Sequence, residues 1–223
     1  MEQVVRNKRY YGYRLQPRRS VKRRATITGL AEQVCIYVAG FDMFKDYACI
    51  SSLDCDLNLI RTLDIRESID IDTKDRMYSL VSNNITSDLQ LCKYTIIKIC
   101  TPGHIAVALW DKLTNIVELF DSSGVHNMVP VILKALEISL IKYGITKDNI
   151  RIVNHENLQA LPEDEYCQVW IYLYLYMRLI DNFEPADITD IFSYMDPKQK
   201  FDLIERFRDF LLYNTKNKNF QYS

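Results

Sequence analysis

The 223-residue chain has three histidines, so any imidazole chemistry must use His104, His126 or His155. His104 opens the stretch GHIAVALWDKLTNIVELFDSSG (103–124), and Asp121 closes it just before a Ser-Ser-Gly turn. If the two apolar runs pair as a hairpin, the start of one lies opposite the end of the other, and His104 and Asp121 face each other across 17 positions. A carboxylate there can bond the imidazole, fix its tautomer and stabilise the imidazolium. The expected arrangement has His104 Nδ1 on Asp121, with the other ring nitrogen turned to a nucleophile. Taken singly, each residue has a plainer role: a satisfied histidine at a strand mouth, and an aspartate capping the Ser122-Ser123-Gly124 turn. His126 in that turn and His155 in a polar loop are expected on the surface.

Such a pair needs a nucleophile or a metal. Cys167 is the best placed thiol, because it opens a long apolar stretch, and a helix N-terminus or a protonated imidazole favours the thiolate. The acids of Glu163–Glu165 act in the opposite sense, depending on where they point. Gln159, on the loop leading to that cysteine, could donate its amide to an oxyanion. No metal site is expected: the six cysteines form no CxxC pair, and Cys100 near His104 is too loose a match.

The order of these residues carries a resemblance. A histidine, an aspartate after a hairpin, a glutamine and a cysteine at a helix start resemble the Ulp1/adenovirus-proteinase clan of cysteine peptidases. That clan includes SUMO-specific proteases and maturation proteases of large DNA viruses. GHIAVALWDKLTNIVELFDSSG is similar to its His-aromatic strand and Asp-containing strand end, and EYCQVW to its nucleophile motif with Trp three residues on. The likeness spans about residues 90–180. It implies an α+β (mixed α/β) papain-like or adenain-like fold, with a central mixed sheet and a buried helix bearing the nucleophile. It also implies a thiol endopeptidase with His104, Asp121 and Cys167 as catalytic residues, Gln159 in the oxyanion hole and no cofactor.

Three departures shape the expectation, one being that Gln159 stands slightly farther from Cys167 than is usual in the clan. Ile105 stands where the clan usually has Trp, so Trp110 or Trp170 is expected to wall the substrate. Gln168 follows the cysteine where SUMO proteases have Gly, which favours the viral maturation branch over the cellular one. The resemblance implies cleavage after Gly-Gly or Gly-X in viral structural precursors. A deSUMOylating or deubiquitinating peptidase, a same-clan acetyltransferase and an inactive assembly protein of the same fold are the alternatives.

The elements that must position these groups follow from patterning. KYTIIKIC (93–100) is β-branched and reads as a buried strand ended by Thr101-Pro102-Gly103. HIAVALWD and NIVELFD form the hairpin. MVPVILKALEISLIKYGI carries Val131, Leu133, Leu136, Leu140 and Ile141 at helical spacing, with Gly144 as its stop. IRIV (150–153) is a short strand. CQVWIYLYLYMRLI is apolar on nearly every side and reads as a buried central helix. ADITDIFSYM suggests a further helix, and Asp196-Pro197 caps a last one with Phe201, Ile204, Phe207 and Leu211 on one stripe, fraying after Tyr213. AEQVCIYVAGF is ambiguous between helix and strand, and residues 54–72 read as irregular.

Composition sets the frame. With 48% apolar and 26% charged residues and a net charge of −1, the chain is ordinary globular sequence, giving no overall drive toward nucleic acid or membrane. The exception is residues 1–26, where nine Lys and Arg between Arg6 and Arg24 meet no acid. This basic arm is a solvated tail or a docking segment for nucleic acid, ahead of one peptidase domain over 27–223. No secretory or membrane-spanning segment is visible, and the cysteines read as free thiols in a reducing compartment. The expected setting is therefore a non-secreted one, in a virion or in host cytoplasm or nucleus, with a protein substrate.

Overall fold

A computed structural model describes residues 40–54, 92–101, 104–124 and 129–219. The basic arm, the irregular 54–72 stretch beyond Asp54, most of AEQVCIYVAGF and His126 lie outside them. The chain divides into two compact units, residues 45–158 and residues 159–223 with the chain up to Phe44.

The first unit is a five-stranded mixed sheet with strands in sequence order: β1 (Ala48–Asp54), β2 (Tyr94–Thr101), β3 (His104–Asp111), β4 (Ile116–Phe120) and β5 (Ile150–Ile152). The outer pairs β1–β2 and β4–β5 are parallel, and the inner pairs are antiparallel. β2 and β3 close through the Thr101–His104 pair, so His104 is fixed at the mouth of a hairpin. β3 is the middle strand, which explains why it alternates so weakly: its six interior residues are all buried.

Register places Ile97 opposite Ala108, Ala108 opposite Leu119, and Trp110 opposite Val117. These residues share one face and pack against α1 (Val129–Leu140) through Val129, Ile132, Ala135 and Leu136. The expected stop holds, since Gly144 adopts φ +78 after a short 3-10 turn over Ile141–Tyr143.

The cysteine expectation is corrected here. Cys49 and Cys92 are joined in a disulfide, with Cα atoms 5.7 Å apart, while Cys100 and Cys167 are thiols. The 43-residue separation of Cys49 and Cys92 follows no pattern in the sequence. Parallel pairing of Ala48 with Tyr94 is what carries the two together, beside the starts of β1 and β2. Closing a loop of that length stabilises a fold by about 2–4 kcal/mol. Thermal melts with and without reductant, and of Cys49→Ser, should show that loss; an unchanged melting temperature would contradict it.

The second unit is helical. α2 (Cys167–Leu179) buries Val169 through Leu175, Met177 and Leu179, as its all-round apolar sequence requires. α3 (Pro185–Ser193) and α4 (Pro197–Asn219) pack on it, with Trp170 edge-on to Phe192 and Tyr176 edge-on to Phe207 and Phe210. Asp196 caps α4 reciprocally: Gln199 N–H donates to Asp196 Oδ1, and Asp196 N–H to Gln199 Oε1. Ile204, Phe207 and Leu211 are buried as expected, whereas Phe201 is half-buried and stacks on Tyr166. The helix runs on to Asn219, beyond the expected fraying point, because no Gly or Pro interrupts it. Before α2 in sequence, a 3-10 turn at Phe41–Phe44 sets Phe41 against Tyr172, and a Cβ on Gly40 would lie 2.5 Å from that tyrosine ring. No helix among the described residues is long and apolar enough to cross a membrane.

Candidate active site

Each half of the candidate machinery is built by its own unit. In the sheet unit, continuing the β3–β4 register by one step sets Asp121 opposite Ala106, two residues along the same face from His104. His104 and Asp121 are thus diagonal neighbours, a spacing that long side chains bridge. They do so through His104 Nε2, 2.7 Å from Asp121 Oδ1. The expected use of Nδ1 is corrected: Nε2 lies farther from the backbone and is the atom that spans a diagonal. A carboxylate only accepts, so Nε2 carries the hydrogen and Nδ1 is the nitrogen that takes up a proton. The carboxylate is 3% exposed and the imidazole 20% exposed, an ion-pair geometry shielded on the acid side.

Asp121 also performs its plainer role. Its Oδ1 accepts the Ser123 N–H at 2.9 Å, and its carbonyl accepts the Gly124 N–H at 3.1 Å. The turn needs a glycine at its end: Gly124 has φ +69, and a Cβ there would sit 2.5 Å from the Glu156 backbone.

One supporting residue was not anticipated from sequence. Asn154, 4% exposed just past β5, donates Nδ2 to the Asp121 carbonyl and to the Glu156 carbonyl, each at 2.7 Å. With Leu158 N–H on the Ser122 carbonyl, it ties the Asp121 turn to the 153–158 segment. The signal available was a lone asparagine ending a short strand, which by itself reads as a turn. Asn154→Ala removes the donor shared by the Asp121 and Glu156 carbonyls, of which only the first bond is buried, a loss of about 1 kcal/mol. It should lower the melting temperature and turnover together, and an unchanged melting temperature would rule the clamp out. His155, next to it, is exposed as expected.

In the helical unit, Cys167 is the first residue of α2, partly exposed, with Tyr166 at the N-cap making no side-chain cap bond. The first N–H groups of a helix have no acceptor inside it, which makes this end a donor site for negative charge. Glu163 and Glu165 are exposed, so solvent screens them, while Asp164 turns inward. Burial pushes the Asp164 carboxyl above the usual carboxylate range, against hydrogen bonds from Trp170, Tyr166 and Gln159 that pull it down. Gln159 is half-buried, and its Nε2 donates to the Asp164 carbonyl at 2.9 Å.

The two tryptophans expected to wall the substrate are both buried. Trp110 is buried in the sheet core, with Nε1 on Asn115 Oδ1 and its ring beside Tyr143. Trp170 has no exposed surface and donates Nε1 to Asp164 Oδ2. Both indoles pack as core residues. Ile105 is buried as well. Among the described residues, no three or more His, Cys, Asp and Glu side chains gather where a metal ion could bind.

No family model and no curated protein matches the chain. Solved structures similar to it include a de-sumoylating protease, at 17% identity over 86% of this chain and 78% of that one, with a TM-score of 0.39. Another is the C-terminal Ulp1 protease domain in complex with Smt3, the yeast orthologue of SUMO, at 15% identity over 95% and 96% and a TM-score of 0.39. A XopD variant from Xanthomonas is 14% identical over 79% and 96%, with a TM-score of 0.37.

Proposed function

We propose that this chain is a cysteine endopeptidase of the Ulp1/adenovirus-proteinase type. The observation that carries the proposal is the 2.7 Å bond from His104 Nε2 to the buried Asp121 carboxylate, which makes Nδ1 the basic nitrogen. Cys167 at the N-terminus of α2 supplies the thiol, in the order along the chain that the clan resemblance implies.

In this reading His104 Nδ1 takes the proton of the Cys167 thiol, and the thiolate attacks the scissile carbonyl carbon. The carbonyl oxygen becomes an oxyanion, held by the Cys167 N–H and the Gln159 amide. As the C–N bond breaks, the imidazolium returns the proton to the leaving amine, and a thioester remains. Water then loses a proton to His104 and adds to the thioester carbonyl. The C–S bond breaks, the product carboxylic acid leaves and the thiol is re-formed. Asp121 stays ionised throughout, holding the ring and stabilising the imidazolium.

The proposed substrates are proteins cut after Gly-Gly or Gly-X, viral structural precursors above all, with ubiquitin-like conjugates as the second class. The test is a peptide series varying the residues before the scissile bond, with products identified by mass spectrometry. New C-termini at Gly-Gly or Gly-X support the reading, and intact peptides in folded enzyme count against it. Transfer of acetyl from acetyl-CoA onto Cys167, with no peptide cleavage, would instead identify the acyltransferase alternative.

A further inference from the structure

Three acceptors of a single residue organise the approach to α2. Asp164 Oδ1 takes the Tyr166 N–H at 3.1 Å, Oδ2 takes the Trp170 indole N–H at 3.0 Å, and the main-chain carbonyl takes Gln159 Nε2 at 2.9 Å. Asp164 is 7% exposed, and its backbone N–H donates to the Leu161 carbonyl. The Tyr166 side chain makes no cap bond, and Asp164, two residues upstream, holds the Tyr166 N–H in an Asx-type turn just before α2. Trp170 is one turn into α2, and its backbone N–H is bonded to the Tyr166 carbonyl. Asp164 therefore fixes, at once, the amide of Gln159, the residue before Cys167 and the first turn that carries Cys167.

We propose that Asp164 is a positioning residue that sets the oxyanion donors, Gln159 Nε2 and the Cys167 N–H, at the spacing acyl transfer requires. The inference rests on the peptidase reading and goes beyond it, since Asp164 touches neither the substrate nor the reacting atoms. Both partners of the carboxylate are buried or half-buried, and a sub-ångström shift of either donor is enough to weaken an oxyanion hole.

Asp164→Asn keeps an acceptor for the Tyr166 N–H but turns an NH2 toward the Trp170 indole N–H. Trp170→Phe deletes the indole donor and leaves the backbone bonds, providing a second, milder route should Asp164→Asn fold poorly. With a Gly-Gly reporter peptide, Asp164→Asn should lower kcat by about 10- to 100-fold with KM changed less than about twofold. Trp170→Phe should lower kcat by about 3- to 10-fold, and the double variant should be no worse than Asp164→Asn, because both remove the same bond. Alkylation of Cys167 by iodoacetamide develops no carbonyl oxyanion, so its rate should change by less than about twofold in either variant. A kcat within about twofold of an active parent in both variants overturns the inference alone. An equal fall in turnover and alkylation also overturns it, because that is general damage to the helix end. A parent protein that neither cleaves the reporter nor reacts with a Gly-Gly electrophile removes the peptidase reading, and the inference with it.

Discussion

Cys167→Ala should abolish reporter cleavage, with kcat falling by about 10⁶-fold, the scale seen when an acyl enzyme loses its nucleophile. The methyl group can form no thioester, and the next residues of α2, Gln168, Val169 and Trp170, carry no nucleophile to replace the thiol. The substitution sits at the first position of a helix whose buried residues begin at Val169, so the fold should tolerate it. Cys100 is the other thiol among the described residues and serves as the control. It pairs with Ile105 across the β2–β3 hairpin, and Cys100→Ala should leave turnover within about twofold of the parent. Retained cleavage in Cys167→Ala, measured on protein with an unchanged melting temperature, would place the chemistry elsewhere.

The base and its orienting acid should differ in size of effect. His104→Ala removes the proton acceptor and should match the cysteine variant, about 10⁶-fold in kcat, while the double variant loses nothing more, since the two act as a unit. Asp121→Asn is milder. Its side-chain oxygen can still accept the Ser123 N–H that shapes the turn, but the charge opposite the imidazolium is gone. A loss of about 10⁴-fold is expected, the scale measured when a triad aspartate is neutralised. The checking measurement is kcat for all four proteins on one reporter. An Asp121→Asn enzyme as active as the parent would reduce the pair to a structural hydrogen bond, and additive losses from His104 and Cys167 would mean that they do not act together.

Much of this arrangement could be read from the sequence because it follows from local rules. The β-branched run before Pro102, the two apolar runs around Lys112-Leu113-Thr114 and the all-round apolar CQVWIYLYLYMRLI each admit one element. Hairpin geometry then brings the first residue of β3 near the residue after β4, which is why His104 and Asp121 could be paired in advance. What escaped depends on distances that no local rule supplies. The choice of Nε2 over Nδ1 turns on a diagonal offset of two residues, and the Cys49–Cys92 bond on parallel pairing of strands far apart in sequence. Asn154 became a clamp only because β5 returns beside β4. Among Glu163, Asp164 and Glu165, charge alone could not tell which side chain turns inward; the indole of Trp170 selects the middle one. The two tryptophans were assigned to a substrate wall by analogy, whereas core packing claims both.

The central claim is that Cys167 is a nucleophile activated by the His104–Asp121 pair. The most direct measurement is reaction of the folded protein with a peptide electrophile ending in Gly-Gly, followed by mass spectrometry of its tryptic peptides. The prediction is a single adduct on the peptide containing Cys167, formed rapidly by the parent protein and slowed by orders of magnitude in His104→Ala. An adduct on Cys100, or labelling of Cys167 at the same rate with and without His104, would contradict it.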